Sequence, residues 1–218
     1  MTRNNLGPGV RAGLTAVVTL ASITVGSVSA DEGRGDEGRM ELSSTTFTNH
    51  GALPPSAVYN FIMNGKNICT ASGVAGGDMS PQLQWKHVPR DTRSFVVMVY
   101  DTTASFTHWG MYNIPAQTRE LPEDAGVAGG TYGTQVLNDF LDPSYDGPCP
   151  PQGVEPVAHH YVFTVYALDT ELRLPALANF PDNAETLFHA LLHASEHGHI
   201  LARASISVFY SATPPPTG

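Results

Sequence analysis

The sequence predicts a mainly β domain in which antiparallel sheets pack as in a β-sandwich, with a few helices at the periphery. Seventeen prolines and 21 glycines in 218 residues, against 14% charged residues, favour many short strands and turns over a helical bundle. Two β-prone runs, Ser94–Asp101 and His159–Leu168, are apolar on both faces, as expected for central strands. With 41% hydrophobic residues, a chain of this length can bury one sizeable core, so we predict a single domain.

Residues 1–30 have the pattern of an export signal. Arg3 and Arg11 precede an apolar stretch, Ala12–Val25, and a small-residue cleavage site ends at Ala30. The alternative is a membrane anchor that stays attached. This is less favoured, because the apolar run is short and contains Thr, Ser and Gly. We therefore expect a periplasmic or secreted protein, cleaved near Ala30, without stable membrane insertion.

Residues 31–40 contain an imperfect repeat of acids, glycines and arginines, which predicts a disordered spacer. The formal net charge of the chain is −9, and loss of the two leader arginines takes it to −11. Such a surface repels nucleic-acid phosphates and anionic lipid head groups. We therefore expect no nucleic-acid partner, and any anion site must be a local pocket.

The first part of the domain is predicted to have a structural role. Residues 41–63 suggest short edge strands interrupted at Pro54–Pro55, because proline cannot donate to a strand ladder. In the following Gly-rich loop, Asp78 can cap a turn with its side chain, and Ser80–Pro81 favours an extended segment after it. Gly76–Gly77 is weak support for phosphate binding, since no lysine or helix start follows it.

A predicted hairpin carries the first candidate site residues. Ser94–Asp101 ends in an acid, and the next strand, Thr107–Pro115, has His108 near its start. The hairpin brings Asp101 and His108 to the same end, where the carboxylate would raise the pKa of the imidazole and orient its ring. The alternative is that Asp101 only forms the turn. The segment that follows, Arg119–Tyr132, is predicted to be a loop.

The segment Ser144–Asp169 is the strongest functional indication. Gly147 frees the backbone, while Pro148 and two further prolines fix φ and remove donors, so this loop holds one shape. A long strand follows, with His159 and Tyr161 on the same face. An imidazole beside a rigid loop predicts a binding site.

The two cysteines, Cys69 and Cys149, allow only one intramolecular pairing. An exported protein meets an oxidising environment, which favours a disulfide that would tie an early loop to the proline loop. Two free buried thiols are the alternative.

One helix is predicted, at Asp182–His197, directly before the last strand, Ile200–Tyr210. Asp182 or Asn183 can cap it, an apolar face follows, and Gly198 occupies the position after its end. Residues 212–218 predict a flexible tail.

That helix carries histidines one turn apart, at His189, His193 and His197. Such spacing can chelate zinc or copper. However, the HExxH pattern is absent, and a helix C-terminus favours histidine through its dipole. We therefore assign no metal site and no cofactor.

Six motifs, in order, resemble the phosphatidylethanolamine-binding protein family, in particular the bacterial branch often called Raf kinase inhibitor-like. They are GGDMSPQLQW, VYD, THWGMYNIP, DGPCPP, HHYVFTVYALD and the final GHILA strand. The resemblance covers about Glu41–Tyr210, so it implies one β-rich domain at residues 41–211. It also implies a shallow pocket that holds a small anion, such as phosphate or a phospholipid head group.

Matched motif by motif, the resemblance implies ligand contacts from six residues: Asp101, His108, Gly147, Pro148, His159 and Tyr161. Imidazole and loop backbone N–H groups can share the oxygens of a phosphate. The chain departs from the family pattern at two positions. Thr103 stands where a second acid is usual, which reduces the pocket rim, and Asp78 replaces a common asparagine.

These observations favour an exported binding or regulatory module for a small anion, compatible with a protein partner and a homodimer. A hydrolase using His108 and His159, with Asp101 as orienting acid, is the alternative from another class. The motifs contain no GxSxG, no HExxH and no phosphate-gripping lysine or arginine, so we predict a protein that is not an enzyme. A structural envelope protein with a vestigial pocket is a third possibility.

Overall fold

Three antiparallel sheets and one α-helix make up the part of the chain described by the computed structural model, residues 39–174 and 181–214. These residues belong to one compact unit, Glu37–Gly218. The strands are β1 (Glu41–Ser43), β2 (Ile62–Met63), β3 (Lys66–Asn67), β4 (Leu83–Lys86), β5 (Ser94–Asp101), β6 (Phe106–Pro115), β7 (Glu120–Leu121), β8 (Thr134–Gln135), β9 (His159–Leu168) and β10 (Ile200–Tyr210). Helix α1 (Ala184–Glu196) precedes β10, and Pro55–Ala57 forms a 3-10 turn.

The largest sheet has the strand order β10-β9-β5-β6-β8. β5 and β9 are its central strands, and their antiparallel register places Asp101 opposite Tyr161. Both strands are apolar on both faces because the core covers one face of the sheet and α1 covers part of the other. This confirms the two predicted central strands.

The main core lies between this sheet and a smaller one, with the order β1-β4-β7. Trp85 of the small sheet contacts Phe95 of the large sheet, with ring centroids 5.2 Å apart. Phe163 and Val165 of β9 are fully buried in the same cluster. Two packed antiparallel sheets are therefore the architecture of the domain, as predicted.

Helix α1 packs on the opposite face of the large sheet through a second apolar cluster, which includes Leu187 and Ala190. Asn183 caps it: its side chain accepts from the Thr186 N–H at 3.0 Å, and the Thr186 hydroxyl accepts from the Asn183 N–H at 2.9 Å. Gly198, with φ of 73°, lies just past its end. The predicted helix before the last strand is confirmed.

Local details differ from the sequence-based expectations. β7 lies inside the segment predicted to be a loop, because Leu121 is buried and pairs with Leu83 of β4. At the edges of the domain, Met40 is only 4% exposed and Ala212 is fully buried. Both residues therefore belong to the packed structure, although they fall in the predicted spacer and the predicted tail.

The predicted export signal, residues 1–30, lies outside the described residues, as do 31–38 of the spacer and 215–218 of the tail. In the described part of the chain, no helix is long and apolar enough to cross a bilayer.

The two cysteines form a disulfide, Cys69–Cys149. It joins the loop after β3 to the proline loop that precedes β9, across a sequence separation of 80 residues. The predicted pairing is confirmed.

Candidate functional site

The centre of the candidate site is a buried carboxylate paired with an imidazole. Asp101 ends β5 and His159 begins β9, and the antiparallel pairing of these strands brings the two side chains to the same end of the sheet. The Asp101 Oδ2 atom lies 2.6 Å from the Nδ1 atom of His159. Because the carboxylate accepts, Nδ1 of His159 carries the proton, which orients the ring and leaves Nε2 as its other polar atom.

Asp101 also forms the turn that closes the β5–β6 hairpin. Its Oδ1 atom accepts from the backbone N–H groups of Thr103, at 2.8 Å, and Ala104, at 3.0 Å. The Thr103 hydroxyl in turn accepts from the N–H of His160 at 2.9 Å, which ties the short loop to β9. The turn-forming and site-forming interpretations of Asp101 are therefore compatible, with one carboxylate oxygen used for each.

His108 differs from its sequence-based expectation. Its Nδ1 atom donates to the backbone carbonyl of Asp146 at 2.8 Å, so the neutral ring has its lone pair on Nε2. Burial lowers the pKa of His108, and this outweighs the opposing effects of Asp101 and Asp139. As predicted, Asp101 raises the pKa of His108, but desolvation is the larger effect, so the pKa is lowered overall. The expectation that Asp101 orients the His108 ring is wrong, because Asp101 bonds to His159 and the ring of His108 bonds to the Asp146 carbonyl.

Tyr161 connects the two histidines. Its ring is buried and lies edge-on to His108, with centroids 5.2 Å apart, and stacks with His159 at 6.3 Å. Burial, and then the nearby carboxylate of Asp101, raise the pKa of the Tyr161 hydroxyl. The structure thus brings four of the six predicted residues, Asp101, His108, His159 and Tyr161, into one cluster.

An aromatic wall beside this cluster was missed by the sequence analysis. Phe140 is 39% exposed, and its ring lies 5.7 Å from that of His108 and 4.7 Å from that of Phe106. On its other side, Phe140 stacks on Tyr59 at 5.1 Å. The sequence signal for this wall was Phe140 itself, an aromatic residue in a mostly polar loop, because such residues usually pack against a neighbour.

Gly147 and Pro148 fix the backbone of the loop beside the site and offer no free N–H group to a ligand. The Gly147 N–H donates to the Asp78 Oδ1 atom at 2.7 Å, and Pro148 has no N–H. A Cβ atom at Gly147 would collide with the backbone of Ala57 and Tyr59, so glycine is required for packing. Contrary to the expectation for a phosphate-binding loop, the N–H of Gly147 is already satisfied within the protein.

A pair of acids, Asp78 and Asp146, supports this loop. Burial, the neighbouring carboxylates and a hydrogen bond to Asp146 raise the pKa of Asp78 to about 7, despite the opposing Gly147 N–H. Burial also raises the pKa of Asp146, whose Oδ2 atom accepts from the Asn138 side chain at 2.6 Å. Because two ionised carboxylates cannot donate to each other, the hydrogen bond between these acids requires one shared proton.

We expect Asp78→Asn to stabilise the fold at alkaline pH. An asparagine keeps an acceptor for Gly147 and removes a buried charge beside Asp146. Because the pKa of Asp78 is higher in the folded state than in the unfolded state, the free energy of unfolding falls as the pH rises. The loss begins near pH 4, the unfolded pKa, and is complete above about pH 7, the folded pKa. Asparagine does not titrate, so the gain should be small near pH 4, grow up to pH 7 and then stay constant. A rise in the pKa from about 4 to about 7 corresponds to at most about 4 kcal/mol, and the partial exposure of Asp78 reduces this value.

Chemical denaturation of both proteins across this pH range measures the effect. Asp91→Asn, which alters an exposed acid in the loop before β5, is the control. A stability difference that is independent of pH would contradict the raised pKa of Asp78.

The histidines of α1 do not converge. The His193 and His197 rings stack at 4.1 Å, and His197 Nδ1 donates to the His193 carbonyl at 2.8 Å. His189 instead faces Glu185, at 3.8 Å. Within the described ranges, no three His, Cys, Asp or Glu side chains are grouped so that they could hold a metal ion.

Comparison with known proteins places the chain in a family. The family model described as "Phosphatidylethanolamine-binding protein" matches residues 43–211. A UPF0098 protein of Aquifex aeolicus is 40% identical over 152 residues, which are 67% of this chain and 82% of that protein. The UPF0098 protein YbcL of Escherichia coli is 38% identical over 164 residues, covering 69% of this chain and 84% of its own.

The fold is also that of a solved relative. The crystal structure of E. coli YbcL, described as a new member of the mammalian PEBP family, superposes with a TM-score of 0.60 at 32% identity. The superposition covers 80% of this chain and 99% of YbcL. The motifs, the packed sheets and these matches agree, and the chain belongs to the phosphatidylethanolamine-binding protein family.

Proposed function

We propose that this protein is an exported binding or regulatory module whose pocket takes a small anion, namely phosphate or a phosphorylated head group. The observation that supports this best is the Asp101–His159 pair, 2.6 Å apart, beside Tyr161 and His108. The description of the family as phosphatidylethanolamine-binding supports a phosphorylated head group in particular. The predicted signal at residues 1–30 supports export.

The two histidines offer different hydrogen-bonding groups to such a ligand. His159 donates to Asp101 through Nδ1, so Nε2 is the ring atom left for a ligand; when Nε2 carries a proton, it donates to the anion in a charge-assisted hydrogen bond. The neutral His108 offers the lone pair of Nε2, which can accept the O–H of a singly protonated phosphate. A site that combines a donor with an acceptor favours a phosphate that carries a proton over an anion that carries none.

Charge explains why the site must be a pocket. The net charge of −9 repels anions from most of the surface, while Asp101 is buried and held by three hydrogen bonds. The Asp101 carboxylate accepts from Nδ1 of His159 and so fixes the orientation of its ring. The aromatic wall at Phe140 limits access of water, which strengthens hydrogen bonds to the bound anion.

We expect His159→Gln to weaken phosphate binding about tenfold or more, because it removes a charged hydrogen bond worth at least about 1.5 kcal/mol. The matched control is His160→Gln. His160 is the next residue of the chain, but it faces the other side of β9, where it stacks on Phe209 at 4.5 Å. Isothermal titration calorimetry with phosphate, phosphoethanolamine and sulfate measures the affinities.

The control variant should bind like the original protein, and sulfate should bind more weakly than phosphate. Equal losses in the two variants, or no saturable binding of any of the three anions, would refute the proposal.

A further inference from the structure

A second cavity lies on the face of the large sheet opposite the anion site. Side chains alternate along β5 and β9, so Asp101 and Tyr161 face the core while their neighbours Tyr100 and Val162 face the other side. Helix α1 covers this second face mainly above β5 and β6. Between α1 and β10 there is an open groove of about 580 Å³, which we call the helix groove.

The helix groove is mainly apolar. Its floor includes Met98 and Val162, and its wall is formed by three residues of α1: Phe188, Leu191 and Leu192. Phe188 is 54% exposed and Leu192 is 45% exposed, so part of the apolar face of the helix does not pack on the sheet. The volume lies within the range of about 300–1,000 Å³ that is typical of small-molecule sites.

One end of the helix groove carries a positive charge. Arg203 of β10 is paired in register with Tyr166 of β9, and both line the groove. Cross-strand partners have Cβ atoms about 5 Å apart, so the two side chains are close. Burial raises the pKa of the Tyr166 hydroxyl, and the Arg203 guanidinium opposes this shift. Within residues 39–174 and 181–214, neither group has a carboxylate or hydrogen-bonding partner.

The acidic groups of the helix groove, in contrast, have partners. Asp139 accepts from the Thr107 N–H at 2.6 Å through Oδ2. Glu185 lies 3.8 Å from the imidazole of His189. The groove therefore has an apolar body, and Arg203 is the one basic residue among the described residues that line it, beside the Tyr166 hydroxyl; both groups can donate to an anion.

We propose that the helix groove binds an elongated amphipathic carboxylate, of the kind represented by a medium-chain fatty acid. Its head group accepts from the Arg203 guanidinium, which is well shaped for a carboxylate, and from the Tyr166 hydroxyl. Its alkyl chain lies along β9 towards Val162, against Phe188 and Leu192. This site is separate from the anion pocket, and it does not depend on the function proposed for that pocket.

The length of the groove sets a chain-length preference. Tyr166 and Val162 are four residues apart on β9, which is about 14 Å at about 3.4 Å per residue. Burial of each added pair of methylene groups should tighten binding about tenfold until the groove is filled. From octanoate to decanoate we therefore expect an increase in affinity of this size, and from dodecanoate onward a smaller one.

The test is calorimetric titration of the protein with decanoate and with decanol, which has the same chain without the charge. Arg203→Gln should weaken decanoate about fivefold or more and leave decanol unchanged. Ser195→Trp fills the groove from an exposed position of α1, so it should weaken both ligands about tenfold or more. Lys86→Gln, which removes one exposed positive charge on the small sheet, is the control and should change neither affinity.

Three results would overturn the proposal. The first is no saturable binding of decanoate at concentrations where it is monomeric, and the second is binding that Ser195→Trp leaves intact. The third is a dimer in sedimentation experiments that Ser195→Trp dissociates while decanoate has no effect, which would assign the groove to a second copy of the chain. Thermal unfolding of each variant shows whether it remains folded.

Discussion

Replacing both cysteines, as Cys69→Ala with Cys149→Ala, is expected to lower the free energy of unfolding by about 4 kcal/mol. The bond closes a loop of 80 residues, and the loss of that constraint raises the conformational entropy of the unfolded chain. Cys69 is fully buried, so the smaller alanine adds a minor packing loss. This is a large fraction of the stability of a typical domain.

Urea denaturation of the original protein and the double variant measures this difference. The reduced original protein serves as the control, and its stability should fall by nearly the same amount. Mass spectrometry of unreduced peptides should find Cys69 linked to Cys149. A difference below 1 kcal/mol, or two free thiols in protein from an oxidising compartment, would contradict the stabilising role of the bond.

Replacing the buried acid, as Asp101→Ala, is expected to cost about 3 kcal/mol of stability and to weaken phosphate binding more than tenfold. The variant leaves the N–H groups of Thr103 and Ala104 without their acceptor, and His159 without its carboxylate partner. The variant should destabilise the turn and also leave the His159 imidazole without a fixed orientation, because the same carboxylate holds both.

The chain provides a matched control for this variant. Asp169 and His199 form a second acid–imidazole pair, with Oδ1 and Nδ1 2.9 Å apart, but both side chains are more than one third exposed. Asp169→Ala should therefore cost less than about 1 kcal/mol and leave phosphate binding unchanged. Similar losses of stability and of phosphate affinity in the two variants would contradict the claim that burial makes the Asp101–His159 pair more important than the exposed pair.

The large elements of the fold could be predicted because their patterns are strong and local. β5 and β10 begin and end where the sequence predicts, and Asn183 and Gly198 mark the ends of α1 through cap chemistry. The two-residue strand β7 could not be found this way, since Leu121 is a strand residue only through its partner in β4. Short strands of this kind depend on tertiary contacts more than on intrinsic preference.

The site was harder to predict than the fold. The sequence suggested that Asp101 would meet His108, its neighbour across the hairpin, but the carboxylate bonds to His159 of β9. That choice depends on the register between β5 and β9, which the sequence does not encode locally. The acid pair of Asp78 and Asp146 was missed because the two residues lie in separate loops, far apart in the sequence, although the departure from asparagine at position 78 was a visible signal.

Side-chain nitrogen NMR of the histidines during a phosphate titration shows whether His108 and His159 belong to one anion pocket. If they do, the ring signals of both residues should shift together with a single dissociation constant, while those of His160 stay in place. Shifts with two different constants, or equal shifts of His160, would contradict a shared pocket.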